Sequence, residues 1–370
     1  MENFARPTWV EINLSKLKRN FYRVKKIVGK RKIIAVVKAD AYGHGSVEVS
    51  KTLEKAGAYA LCTASLEEAI KLRESGIKIP ILVLGYVNPS VLPVAAKLNI
   101  PVTLFDKRFL KRLREYKGEY PLKIHINVDT GMGRIGVTPS EIPEIINTLN
   151  TLPFIIFEGI YTHLSTADTD LSYANKQLSI FENILDQLKE KNLLPPLIHT
   201  ANSAAILNLK RSYFNAVRPG ILLYGLSPLN KAIDNFEPIM NFKTRTIYSK
   251  LVPKGKSISY GRTFITKKET LIATLPVGYA DGYPRALSNK GEVLIKKRRA
   301  KIIGNITMDQ TMIDVTGFPY IHPGNEVVLI GKQGNETITA SEIAKKITTI
   351  NYEIVSRIGK RVPRIFVRED

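Results

Sequence analysis

Lys38 follows the apolar run Ile33-Ile-Ala-Val-Val and precedes Ala-Asp-Ala-Tyr-Gly-His-Gly. A lysine at the mouth of a low-dielectric core loses solvation of its charged form. Its pKa falls, and the free amine suits Schiff-base chemistry. A cation that snorkels from a strand end to solvent fits the same position. The loop beyond carries Gly43 and Gly45, which let backbone approach a ligand closely, and Tyr42, whose hydroxyl can donate to a phosphate.

A second segment, Gly131-Met-Gly-Arg-Ile-Gly, has the spacing of a dinucleotide-binding fingerprint. Glu158 follows at roughly the distance of a ribose ligand. The fingerprint needs its helix to open within the glycines, whereas Thr138-Pro-Ser-Glu is the helix start here. A buried loop that presents Arg134 to an anion is the better account. His163 ends the strand-like run before Leu164 and reads as a base, an orienting group or a packed histidine. His44, His125, His199 and His322 lack metal-ligand spacing, so no metal site is expected. Ser203 stands where a helix should begin, and Val217-Arg-Pro-Gly-Ile ends the last barrel-type run. Backbone N–H groups of Ser203, Gly220 and Ile221, with a hydroxyl, would cradle a phosphate.

Such residues need a scaffold that gathers them. Residues 32–218 alternate short apolar runs with amphipathic segments of helical period. The runs are Lys32–Val37, Ala58–Thr63, Ile79–Leu84, Val102–Phe105, Leu122–Val128, Ile155–Tyr161, Leu197–Thr200 and Phe214–Val217. Leu14–Val28 reads as a helix with Asn13 as its N-cap. Eight strands alternating with helices are the count of a (β/α)8 TIM-type barrel, whose catalytic groups sit at the C-terminal strand ends. An open doubly wound sheet is the weaker alternative. After about residue 230 the runs become short and alternating, as in Phe242–Leu251, Thr270–Val277 and Glu326–Ile330, with helical stretches at Ala340–Ile347 and near Tyr352–Ile358. The expected organisation is an α/β barrel over residues 1–233 and a mostly β C-terminal domain over 234–370. Residues 8–12 are strand-like and are expected to pair with the second domain.

Composition narrows the class further. The 370 residues are 44% hydrophobic and 24% charged, which excludes a disordered chain or a collagen-like repeat. Cys62 is the single cysteine, so no intrachain disulfide forms and a reducing compartment fits. With no signal-like N-terminus and no apolar stretch near the roughly 18 residues of a membrane span, the cytoplasm is expected. The net charge of +22 raises the question of nucleic acid or an anionic membrane. It is not a tail: residues 234–370 hold 23 basic and 13 acidic residues, and 1–233 hold 32 and 20. The densest run, Lys296-Lys-Arg-Arg-Ala-Lys, lacks interleaved aromatics and reads as a solvated strand face. Neither nucleic acid nor membrane is expected as a partner.

Lys38-Ala-Asp-Ala-Tyr-Gly-His-Gly resembles the pyridoxal phosphate attachment motif of alanine racemases. The likeness continues through Gly131-Met-Gly-Arg-Ile-Gly, His199-Thr-Ala-Asn-Ser-Ala, Val217-Arg-Pro-Gly, Ser259-Tyr-Gly-Arg, Val277-Gly-Tyr-Ala-Asp-Gly and Met308-Asp. It covers essentially the whole chain, and the order of the motifs is more specific than any one of them. The resemblance implies a pyridoxal 5'-phosphate enzyme that interconverts L-alanine and D-alanine for cell-wall peptidoglycan. It also implies a head-to-tail homodimer whose active sites take residues from both chains. The cofactor would form an imine with Lys38 and stabilise the carbanion left by the α-proton. Lys38 and the partner copy's tyrosine at position 260 would exchange protons on opposite faces, so Tyr260 is the second catalytic residue. His163 would stand beside that tyrosine and connect to Arg218, which would face the pyridine nitrogen. A guanidinium there donates but does not readily yield a proton. Tyr42, Ser203, Gly220, Ile221 and Tyr352 match phosphate-binding positions. Arg134, Met308 and Asp309 match substrate-side positions.

One departure stands out. Many relatives place a carbamylated lysine at the position of Asn127, where its charge orients the arginine matching Arg134. Either the Asn127 amide oxygen contacts Arg134, or a bound anion such as chloride supplies the charge. The alternatives to this reading are a racemase for another amino acid, a decarboxylase of the same architecture, a nucleic-acid binder or, more distantly, a nicotinamide oxidoreductase.

Overall fold

The computed structural model describes residues 5–229 and 231–369. They form two compact units. One comprises Leu17–Ala41 and Ser46–Glu237; the other comprises the chain up to Lys16, Tyr42–Gly45 and the chain from Pro238 onward.

The first unit is a closed barrel. Its strands are β2 (Lys32–Val36), β3 (Ala60–Thr63), β4 (Ile81–Val83), β5 (Val102–Leu104), β6 (Leu122–Asn127), β7 (Ile155–Tyr161), β8 (Leu197–His199) and β9 (Ala216–Val217), following β1 (Thr8–Asn13) of the other unit. Neighbours pair in parallel in chain order, and β9 closes on β2 through Lys32↔Ala216 and Ile33↔Val217. The closed ring excludes the open sheet. Most of the strands are buried apolar runs, as expected when both faces are covered; β7 is the exception, with Ile156 exposed and Glu158 within it. The helix Leu14–Val28 shows how the cover forms: Leu14, Leu17, Phe21, Val24 and Val28 are buried at helical spacing. The Asn13 side chain accepts from Lys16 N (2.9 Å) and caps it.

The second unit is a sheet of β10 (Met240–Arg245), β11 (Tyr248–Val252), β14 (Thr270–Leu275), β15 (Glu292–Ile295), β16 (Arg298–Ile302), β17 (Thr311–Asp314), β18 (Glu326–Gln333), β19 (Glu336–Ile338) and β20 (Arg364–Val367), joined by β1. The pair β12 (Ser257–Ile258) and β13 (Phe264–Ile265) stands apart. β1 lies antiparallel to β10 and parallel to β20. The run Phe242–Leu251 is not one strand. It breaks at Thr246, whose N–H donates to Asn325 O (2.9 Å) and whose hydroxyl donates to His322 O (2.6 Å). β10 and β11 therefore sit in different parts of the sheet. The basic run at 296–301 is likewise no continuous strand face. Lys296 and Lys297 are a two-residue hairpin loop between Ile295 and its partner Arg298, both with positive φ (50° and 62°).

Candidate active site

Lys38 sits just past the C-terminal end of β2 and opens an unusual turn. Ala39, Asp40, Ala41 and Tyr42 have φ of 52°, 52°, 55° and 55°, one turn of left-handed helix. Each such non-glycine residue costs about 1–2 kcal/mol. Glu68 holds the turn, accepting from Ala39 N (2.7 Å) and Ala64 N (2.9 Å). Asp40 adds a bond from Ser46 N (2.9 Å). Burial, then the positive charge of Arg134, lowers the pKa of the Lys38 amine. Its neutral form is therefore favoured relative to an exposed lysine.

Arg218 is 3% exposed. Its Nη1 donates to His199 Nδ1 and to His199 O, both at 2.6 Å. Its Nη2 donates to Thr162 O (2.9 Å) and Thr200 O (3.2 Å) and stands 3.4 Å from His163 Nδ1. The guanidinium also lies 4.9 Å from the Tyr161 ring centre. His163 is pushed down to about 3, first by burial and then by Arg218, Arg134 and Lys38. It is a neutral imidazole at ordinary pH, an orienting group rather than a charge. Lys38, Arg134, His163 and Arg218 thus act on one another at the C-terminal end of the barrel strands.

Ser203 begins the helix Ser203–Asn208, capped by the Asn202 side chain on Ala205 N (3.0 Å). The Ser203 hydroxyl oxygen accepts from Gly220 N (2.9 Å) and Leu222 N (3.3 Å). This corrects one detail of the expected cradle: the Gly220 N–H is engaged inside the protein. Ser203 keeps its hydroxyl proton for an anion. Ile221, first in its short helical turn, has an N–H without an intrahelical acceptor. This turn, with the nearby cations and a desolvated amine, suits a phosphorylated aldehyde.

The glycine-rich loop after β6 differs from expectation. It is not buried: Gly131, Gly133 and Arg134 are exposed. The Asp129 carboxylate accepts from the N–H groups of Gly131, Met132 and Gly133 at 2.9–3.1 Å. It occupies the place a dinucleotide phosphate would take, so the fingerprint spacing is incidental. The helical region begins at Thr138, with Glu141 accepting from Thr138 N (2.7 Å) in a capping box. Asn127 Nδ2 donates to Ile135 O (3.2 Å). No hydrogen bond or ion pair joins Asn127, or any acidic side chain, to Arg134 among the described residues. The direct amide contact is therefore absent.

The remaining expected residues lie in the sheet unit. The Tyr42 and Tyr352 rings are 6.2 Å apart. Tyr260 is 72% exposed on the turn Tyr260–Arg262. Asn305 Nδ2 donates to its carbonyl (2.8 Å), and the Ser259 hydroxyl donates to Asn305 O (2.6 Å). Met308 is 53% exposed, with its carbonyl bonded by Ala280 N (3.0 Å). A side chain on Gly278 would meet the Thr307 and Met308 carbonyls at 2.3 and 2.4 Å, so only glycine fits there. Asp309 is paired with Arg361 (2.8 Å). Sequence reasoning missed Glu68, Asp129, Tyr161 and the buried Asp281, which Arg6 grips at 2.5 and 2.7 Å. Asp129 acts within its own loop; the roles of the others are contacts across long sequence separations, of which spacing carries no sign. No group of three or more metal-binding side chains occurs among the described residues.

The model of the alanine racemase N-terminal domain matches residues 12–228, and that of the C-terminal domain matches 239–366. The chain belongs to the alanine racemase family. This is an isomerase family dependent on pyridoxal phosphate. An alanine racemase of Halothermothrix orenii is 48% identical over 98% of this chain and 97% of its own. A crystal structure of the alanine racemase from Bacillus anthracis with bound L-Ala-P has a TM-score of 0.93 and 43% identity, covering 99% of this chain and 96% of that one. The alanine racemase from E. faecalis superposes with the same TM-score at 36% identity, covering 99% of each chain. Members of the alanine racemase family thus match both units of this chain over nearly their whole length.

Proposed function

We propose that the protein interconverts L-alanine and D-alanine, with Lys38 and Tyr260 as the two proton-exchanging groups. The observation that carries this is the desolvated Lys38 amine within the electrostatic reach of Arg218 and Arg134 at the barrel mouth. When bound, pyridoxal 5'-phosphate supplies an electron sink for the substrate carbanion. Ser203 and Ile221 would hold its phosphate, aided by Tyr42 and Tyr352. Arg218 would face the pyridine nitrogen and donate to it without giving up a proton. Lys38 moves a proton at the α-carbon from one face, and the tyrosine hydroxyl serves the other. His163, neutral and touching Arg218, orients that hydroxyl. Arg134 holds the substrate carboxylate, and Met308 limits the pocket to a small side chain.

Tyr260 and Met308 are large side chains left exposed on a single chain. That supports a homodimer in which each copy completes the other's site. The domain of residues 1–233 would carry the cofactor, and that of 234–370 would lend Tyr260 and Met308 to the partner. No helix among the described residues is long and apolar enough to cross a membrane. We place the enzyme in the cytoplasm.

Chiral chromatography of L-alanine incubated with protein and pyridoxal phosphate tests the reading. An equal mixture of enantiomers is expected, and none from Lys38→Ala. No D-alanine from a yellow protein whose colour needs Lys38 would redirect the reading to another amino acid or to decarboxylation.

A further inference from the structure

Arg218 is a buried cation whose direct partners are all neutral: three carbonyl oxygens and two imidazoles. A guanidinium without a counter-charge is costly to bury. The counter-charge lies further along one line of contacts. His199, bonded to Arg218 through Nδ1, presents Nε2 to His125 Nδ1 at 3.0 Å. His125 Nε2 stands 3.1 Å from Glu158 Oε2. Glu158 Oε1 stands 3.1 Å from Lys123 Nζ, near the outer end of the line.

The direction of this line is fixed by donor chemistry. A guanidinium only donates, so His199 Nδ1 accepts and its proton sits on Nε2. That proton faces His125 Nδ1, which must accept in turn. His125 therefore carries its own proton on Nε2, facing the Glu158 carboxylate. Each assignment forces the next. The line moves no protons, because its inner end cannot take one up; it transmits charge and orientation.

The local fold makes room for it. The β6–β7 register shifts between Ile124 and His125. A Cβ on Gly159 would lie 2.3 Å from His125 Nδ1, so glycine is required beside the ring. Tyr161 stacks on His199 with ring centres 4.8 Å apart. Burial lowers the pKa of both imidazoles and keeps them neutral. Burial alone would raise Glu158, but its bonds to His125 and Lys123 outweigh that and leave it lowered, hence ionised.

We propose that His125 and Glu158 are positioning residues for Arg218. The guanidinium sets His199 in its Nε2–H form; the carboxylate accepts the last N–H of the line, holds both rings in place against the guanidinium and supplies its counter-charge from two rings away. The catalytic consequence rests on the reading of Arg218 as the partner of the pyridine nitrogen; the ring protonation does not.

Nitrogen NMR of the holoenzyme labelled in histidine tests both parts. His125 and His199 should each show a protonated Nε2 and a bare Nδ1 throughout the neutral range. Glu158→Leu should leave the His125 Nε2–H without its acceptor, shift the nitrogen signals of that ring and shift the visible absorption of the bound cofactor. It should also lower kcat about tenfold with KM little changed, the loss expected of one charge-assisted bond. Glu158→Gln, whose amide oxygen still accepts from His125 but carries no charge, should restore the His125 signals and only part of kcat. A proton on His199 Nδ1 in the native protein overturns the proposal, whether or not the variants fold. So does a folded Glu158→Leu with unchanged kcat and absorption. If the native protein racemises nothing, the functional reading fails while the tautomer result still decides the line itself.

Discussion

Single residues here are set by their neighbours more than by their own type. Lys38 and Arg218 were legible because both close apolar runs, and position at a barrel strand end is a sequence property. Glu68 was not, since its two backbone bonds reach Ala39 and Ala64 only after folding. Glu68→Ala removes two charge-assisted acceptors from a turn already in a strained conformation. Thermal unfolding should show a loss of about 1–3 kcal/mol, with weaker cofactor retention. Arg134 has no acidic partner among the described residues, and Asn127 brings no charge. Chloride should therefore raise activity at low salt. Steady-state rates in chloride against a larger, poorly binding anion would check this; a flat response would remove the anion from the account.

At the scale of elements, apolar runs located the barrel strands, but two details depended on turn geometry. Thr246 broke an apparently continuous strand through bonds to His322 and Asn325. A distant loop that ties off a strand leaves no mark in local hydropathy. The hairpin at Lys296-Lys297 was hidden in a charge run whose residues lack the usual turn types. Two-residue loops with both φ values positive favour Asn-Gly. Substituting Lys296→Asn with Lys297→Gly should relieve left-handed strain at two exposed positions. A gain of about 1 kcal/mol in chemical denaturation is expected, with activity unchanged.

For the whole molecule, stability should follow the buried imidazoles. His163 titrates near 3 here and near 6.5 when free. Its folded value is depressed, so the unfolded chain binds protons first as the pH falls. The stability of the neutral ring is complete above pH 6.5 and is lost as pH falls toward 3. Each such ring contributes a slope approaching about 1.4 kcal/mol per pH unit. Urea midpoints measured stepwise through that range should fall, and the fall should be shallower in His163→Gln. The two-unit architecture itself followed from the change in periodicity near residue 230. What periodicity could not show is that β1 belongs between β10 and β20, because pairing partners far apart in sequence share no local pattern. That placement governs how the chain is born. Thr8–Asn13 is made well before its neighbours Met240–Arg245 and Arg364–Val367. The whole barrel can emerge and close while this first strand waits with its edges bare. Maturation of the sheet thus waits on strands made hundreds of residues later, and the waiting strand is the segment that a chaperone would have most reason to shelter.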